Sequence, residues 1–191
     1  MSKTFSDKER SIIKQKLLDS CQLCWGKYGY KKTSINELCR MAGISTGAFY
    51  LFYPSKEMLF FETAQQIGVM LNKIIMDNLP ENRTKYDFAK RIKLIINELR
   101  GLTWFLSVSG EMEQLLRKLP PEFLEQDFKQ DLDRFSLWIE AYRLKPVKDI
   151  ERIVTAFQLL IVSLLYEKSL TADTVSAVDM MVDLLCENLF E

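Results

Sequence analysis

A chain of 191 residues and 22.4 kDa can bury a core of its own, as one domain or as two small ones. Five prolines and seven glycines are too few for low-complexity linkers, and the absence of histidine removes the commonest general base and a favoured metal ligand, so neither an enzyme nor a metal or cofactor protein is indicated. The zero net charge hides an asymmetry: residues 1–56 carry ten Lys or Arg against four Asp or Glu, a net +6, which leaves −6 for the remainder. A basic N-terminal third suits a polyanion and an acidic remainder does not.

Apolar residues recur at spacings of three and four throughout, and no strand-like alternation appears, so an all-α chain is expected. The first helix should end at Gly29, which suits the left-handed position that closes a helix. Ser34 and Glu37 have the spacing of a capping box, so a second helix starts near Thr33 or Ser34, with Ile35, Leu38, Cys39 and Ala42 as its buried stripe. Gly43 supplies a tight turn. Ser45 caps a short helix of Thr46, Gly47, Ala48, Phe49 and Tyr50, which Pro54 stops. Ser55 caps the next helix, beginning at Lys56. A short helix, a turn and a second short helix on a basic segment form a helix-turn-helix, which places its second helix in a DNA major groove.

The segment resembles the DNA-binding domain of the TetR (tetracycline repressor) family of bacterial regulators. The residues that carry the resemblance are Gly29-Tyr30, Thr33-Ser34, Ala42-Gly43-Ile44-Ser45, Gly47-Ala48-Phe49-Tyr50 and Ser55-Lys56-Glu57. It covers roughly the first third of the chain, and many spaced positions agree at once. The resemblance implies that Thr33, Tyr50 and Lys56 hold phosphates and that Asn36, Ser45, Thr46, Gly47 and Ala48 face the groove. The chemistry suits those roles: Lys56 opens a helix whose free N–H groups favour an anion, and Thr46 and Ala48 can meet a base edge and a thymine methyl. The chain departs from the family at Phe52, which has no hydrogen bond to give a phosphate, and at Tyr53, read as core.

Beyond the motif, one long helix spans 57–78, a second 84–100, a third 102–119 and a fourth 121–144. Residues 147–168 and 171–190 supply the last two, with Thr171 or Asp173 capping the final one. That pair is apolar on more than one face, so Phe157, Ile161, Leu164, Val178, Val182 and Leu185 are expected to pack against a second copy in a four-helix bundle. The same dimer is implied by the resemblance. Trp104, Phe105, Met112, Phe128, Trp138 and Tyr142 give the middle helices an aromatic density that suits an apolar effector pocket as well as a core.

Together these readings divide the chain into a helix-turn-helix DNA-binding domain at 1–56 and a helical effector-binding and dimerisation domain at 57–191. The function expected is a homodimeric transcription regulator, a repressor released from an inverted-repeat operator in double-stranded DNA by a small, apolar effector. Two rivals are a thiol redox-sensing regulator using Cys21 and Cys24, and an all-helical carrier of lipid or small molecules. Cys21 and Cys24 also fit as small hydrophobes on the buried face of the first helix. The N-terminus lacks the apolar core of a signal peptide, and the most apolar run, Phe157 to Tyr166, is too short to span a membrane, so a cytoplasmic protein with no membrane partner is expected.

Overall fold

The computed structural model describes residues 5–106, 111–170 and 173–191. Helices α1 (Asp7–Lys32), α2 (Ile35–Ala42), α3 (Thr46–Phe49), α4 (Lys56–Met76), α5 (Lys85–Gly101), α6 (Thr103–Leu106), α7 (Met112–Leu116), α8 (Pro121–Ala141), α9 (Ile150–Leu164) and α10 (Thr174–Leu189) follow in order. Among the described residues there is no strand, only an isolated bridge between Pro146 and Phe190. The all-α expectation holds.

The chain forms two compact units, residues 1–66 with 103–119 and residues 67–102 with 120–191. The expected boundary at residue 56 instead falls inside a unit. Helix α4 is continuous across the division, its first eleven residues in one unit and the rest in the other. The helix expected over 102–119 is replaced by the short α6 and α7, with residues 107–110 outside the described set. Its pattern misled because Leu115 and Leu119 bury within the first unit rather than along one long stripe.

In the first unit the punctuation acts as its residue types dictate. Ser6 and Glu9 complete a capping box at the start of α1. Gly29 breaks helical geometry at φ +79°, and a single turn beyond it runs to Lys32. Gly43 closes α2 in the left-handed region at φ +75°. Leu17, Cys21, Trp25, Leu38, Phe49 and Phe60 are buried together, with the Trp25 ring 4.8 Å from Phe60 and 5.4 Å from Trp104. A Cβ at Gly26 would come within 2.9 Å of Trp104 Cβ, so this close approach of α1 to α6 needs glycine.

In the second unit Phe88 is the hub. Its ring meets Tyr142 at 5.3 Å, Phe190 at 5.7 Å, Phe135 at 5.9 Å and Phe157 at 6.3 Å. Such edge-on pairs add to the burial itself. Thr84 and Asp87 form a capping box on α5, and Asp173 caps α10; Thr171, the other expected cap, lies outside the described residues.

Candidate nucleic-acid interface and ligand cavity

The helix-turn-helix is shaped by two serines. Ser34 Oγ accepts from the Glu37 N–H at 3.2 Å and Ser45 Oγ from the Ala48 N–H at 3.2 Å, so each short helix starts where its cap stands. Only half of the expected capping box at Ser34 forms, because the Glu37 carboxylate takes the Arg40 guanidinium instead, at 2.7 and 3.1 Å. Phe49 is fully buried, which turns Thr46, Gly47 and Tyr50 outward; all three are exposed, as are Ser45 and Asn36, and Ala48 is half-buried. Thr46 Oγ1 donates to Asn36 Oδ1 at 2.9 Å. That bond joins α2 to α3 and takes only the oxygen of the exposed Asn36 amide.

Two residues expected to hold phosphates are committed elsewhere. Thr33 is buried, and its hydroxyl donates to the Gly29 carbonyl at 2.7 Å, so its proton is already given away inside the chain. Lys56 Nζ donates to the carbonyls of Tyr30 at 2.8 Å and Thr33 at 2.9 Å and stands 4.2 Å from the centre of the Tyr30 ring. Burial lowers its pKa. Lys56 thus ties the end of α1 to the start of α4, with one donor left for an anion. Tyr50 remains free to reach a phosphate.

Sequence reasoning missed the clamp beside it. Glu111 accepts from the backbone N–H of Tyr30 at 2.5 Å and of Lys31 at 3.3 Å, occupying the space a side chain at Gly29 would need. The Tyr30 hydroxyl donates to Glu57 and accepts from Lys118 Nζ at 2.9 Å. No motif flags such a clamp, since its members lie some 80 residues apart in the chain. Tyr53 is buried as read, and Phe52 carries the Arg10 guanidinium 5.0 Å from its ring centre rather than a phosphate.

Cys21 and Cys24 are buried free thiols. Burial pushes the Cys21 thiol up to about 12 and raises Cys24 as well, which disfavours the thiolate that redox chemistry needs. Among the described residues no group of His, Cys, Asp or Glu could hold a metal ion, and no helix is long and apolar enough to cross a membrane.

The second unit holds an apolar cavity of about 80 Å³ lined by Leu71, Ile92, Ile95, Ile96, Phe135, Trp138, Val154, Phe157, Leu160 and Ile161, with Asp131, Arg134 and Gln158 as its polar members. Of the six residues expected in a pocket, Trp138 lines it, with its indole N–H bonded to Asn72 Oδ1 at 2.9 Å. Tyr142 is core, packed on Phe88. Trp104 lines a different space, an open groove of about 850 Å³ in the first unit beside Leu23, Tyr28 and Met41. Met112 and Phe128 are half-buried and line neither, and the Phe105 side chain lies outside the described residues. The walls of the apolar cavity are ordinary core residues that no sequence pattern singles out, and its polar members are Asp131 and Arg134 on α8 and Gln158 on α9.

The expected interface residues also divide. Phe157, Leu164, Val178 and Val182 are buried within the chain itself, and Ile161 and Leu185 are half-buried. The open apolar face is instead Leu159, Val162 and Tyr166 on or just beyond α9, and Met180, Met181 and Leu184 on α10. In each of these helices the more hydrophobic side packs into the chain's own core.

Residues 18–63 match the model of the N-terminal domain of bacterial regulatory proteins of the tetR family. Over that stretch the sequence is that of a TetR-family N-terminal domain. The chain is 36% identical over 70 residues to the HTH-type transcriptional regulator YerO of Bacillus subtilis, covering 36% of this chain and 24% of that one. It is 26% identical over 73 residues to the HTH-type transcriptional repressor AcnR of Corynebacterium diphtheriae, covering 38% of each. The chain therefore matches well under half the length of these relatives. The TetR fold extends further: FadR of Thermus thermophilus, solved with lauroyl-CoA, superposes with a TM-score of 0.68 at 18% identity, covering 91% of this chain and 93% of that one. SmeT, the repressor of a Stenotrophomonas maltophilia efflux pump, gives 0.63 at 16% identity, covering 93% and 90%.

Proposed function

We propose that this TetR-family chain is a homodimeric, ligand-responsive repressor of transcription that binds an inverted repeat in double-stranded DNA. The observation that carries the reading is the outward row of Asn36, Ser45, Thr46, Gly47 and Tyr50 on a helix pair whose inner side is sealed by Phe49 and Leu38. These are small or hydrogen-bonding residues set on the basic third of the chain. Thr46 and Asn36 meet base edges, Gly47 lets the backbone approach, and Tyr50 and the spare donor of Lys56 meet phosphates.

A second copy supplies the second half-site. The face of Leu159, Val162, Tyr166, Met180, Met181 and Leu184 suits an isologous contact, in which the same patch serves both partners. The effector enters the apolar cavity of the second unit. Because α4 contributes Leu71 to that cavity and Lys56 to the DNA-reading unit, a ligand that favours one placement of α4 changes DNA affinity, and DNA changes ligand affinity by the same factor. A lipid carrier is poorly served by a cavity of about 80 Å³, and a thiol sensor by two thiols held protonated.

Selection of bound sequences from a random duplex pool tests the reading. The expected product is a palindromic site with half-sites about one helical turn apart, and affinity that falls steeply with salt. A purified dimer that selects no sequence in the absence of added small molecules would overturn it.

A further inference from the structure

The polar members of the cavity have a particular arrangement. Arg134 Nη1 donates to Asp131 Oδ1 at 2.5 Å, and the other Asp131 oxygen accepts from Gln158 Nε2 at 2.8 Å. Asp131 is thus satisfied on both oxygens. Arg134 is not: among the described residues no acceptor takes its Nε–H or its Nη2 hydrogens, and the side chain is partly exposed at the edge of the cavity. The Nε/Nη2 edge is a planar fork of donors that matches a carboxylate with two parallel bonds.

The guanidinium also lies close against α4. A Cβ built on Gly68 of α4 would lie 2.6 Å from Cζ, Nη1 and Nη2 of Arg134. Only glycine lets the guanidinium lie against that helix. Beside Arg134 the space is apolar and small. At about 80 Å³ it is roughly half the 150 Å³ or so of a cavity that accepts benzene. An apolar body of a few carbons, with one acceptor head, is what such a site complements.

We propose that this cavity binds a small apolar monocarboxylate, of about three to six carbons on that volume comparison, with its carboxylate on the Nε/Nη2 edge of Arg134 and its carbon chain between Phe135, Trp138 and Ile95. The proposal rests on the ligand-responsive reading only for its consequence at DNA. Asp131 stays as the counter-charge that keeps Arg134 in place when the site is empty, and Gln158 holds Asp131. A ligand seated on Arg134 bears on α4 through Gly68, the helix that also carries Lys56.

Calorimetric titration of the purified full-length protein with butyrate, isovalerate and hexanoate, each beside its amide and its alcohol, tests this. At least one acid is expected to bind about tenfold or more tightly than its amide, as loss of a bidentate charged pair implies. Arg134→Leu should lose that preference, and Arg134→Lys should recover little of it, because an ammonium has no fork. Gly68→Ala, which displaces the guanidinium without emptying the apolar space, should weaken the acid and leave the alcohol unchanged. Melting curves of the ligand-free variants confirm that they fold. Failure of all three acids to bind, or amides that bind as well as the acids, or an unchanged acid affinity in Arg134→Leu, would each overturn the proposal. DNA selection is run separately without ligand: its failure beside intact acid binding strikes the regulator reading alone, and its success beside absent acid binding strikes this one alone.

Discussion

The two units of this chain are stabilised in different ways. In the first, the short helices α2 and α3 are set by neighbours in sequence: Ser34 and Ser45 cap, and Gly43 turns. In the second, long helices are held by partners distant in sequence. Phe88 touches Phe135, Tyr142, Phe157 and Phe190, which lie on or beside three further helices. The first design fixes the direction of a few exposed side chains, as a DNA reader requires. The second tolerates a small void among apolar walls, as a ligand site requires.

The largest expected effect tests whether the second unit has a free face at all. Leu184→Asp puts a charge where Leu184 is exposed in the protomer and, in the proposed dimer, buried. Burial of one leucine is worth roughly 1.5–3 kcal/mol and symmetry counts it twice, so dimer stability should fall by roughly 3–6 kcal/mol. Sedimentation should show a folded monomer with helical content kept and operator binding lost. Val182→Asp, at a residue fully buried in the chain itself, should instead unfold the protein. If Leu184→Asp remains dimeric at micromolar concentration, the interface lies elsewhere.

Next in size is the aromatic hub. Phe88→Ala should cost about 3–5 kcal/mol through the cavity it leaves. That lowers the melting temperature by on the order of 10 °C for a chain of this length. Should the fall be under 2 °C, the second unit is not organised around Phe88.

A smaller effect belongs to the reading surface. Thr46→Val keeps the shape of the side chain and removes the bond to Asn36. Selected sequences should lose preference at one or two base pairs in each half-site, about 1–3 kcal/mol per pair, with little change in salt dependence. Tyr50→Phe should do the reverse and weaken all sequences alike. Equal losses on all sequences for Thr46→Val would remove it from base contact.

The difference between the units also explains what could be read from residues alone. Capping and turning are local acts, so Ser34, Gly43, Ser45 and Ser55 mark the helix-turn-helix in the sequence itself. The roles of Thr33 and Lys56 were not legible, because their partners are carbonyls at an α1 end whose path is set by Gly29 and by Glu111 far along the chain. The last two helices showed their apolar stripes but not which side of each faced inward. Phe157 and Leu159 differ by two positions, and nothing local distinguishes a core phenylalanine from an exposed leucine. The cavity was hidden for the same reason: Arg134 gains meaning only from Gly68, 66 residues earlier.

The smallest effect separates folding from DNA reading at one residue. Ser45 Oγ satisfies the Ala48 N–H at the start of α3, a helix of four residues with no packing surface beyond Phe49. Ser45→Ala removes that acceptor and should cost about 1 kcal/mol. Ser45→Gly should cost only a few tenths, since glycine adopts the cap geometry readily and admits water to the free N–H. Ser45→Asp keeps an acceptor and adds a negative charge that favours a helix start, so stability should be held or slightly raised. The same carboxylate would face the phosphates and base acceptors of DNA and should abolish binding. Urea unfolding and operator titration of the three variants thus place them in different orders. Stability should run Asp and Ser, then Gly, then Ala, and DNA affinity should run Ser first and Asp last. If Ser45→Asp binds DNA as well as the wild type, Ser45 is a helix cap turned away from the groove, and the reading surface narrows to Asn36, Thr46, Gly47 and Tyr50.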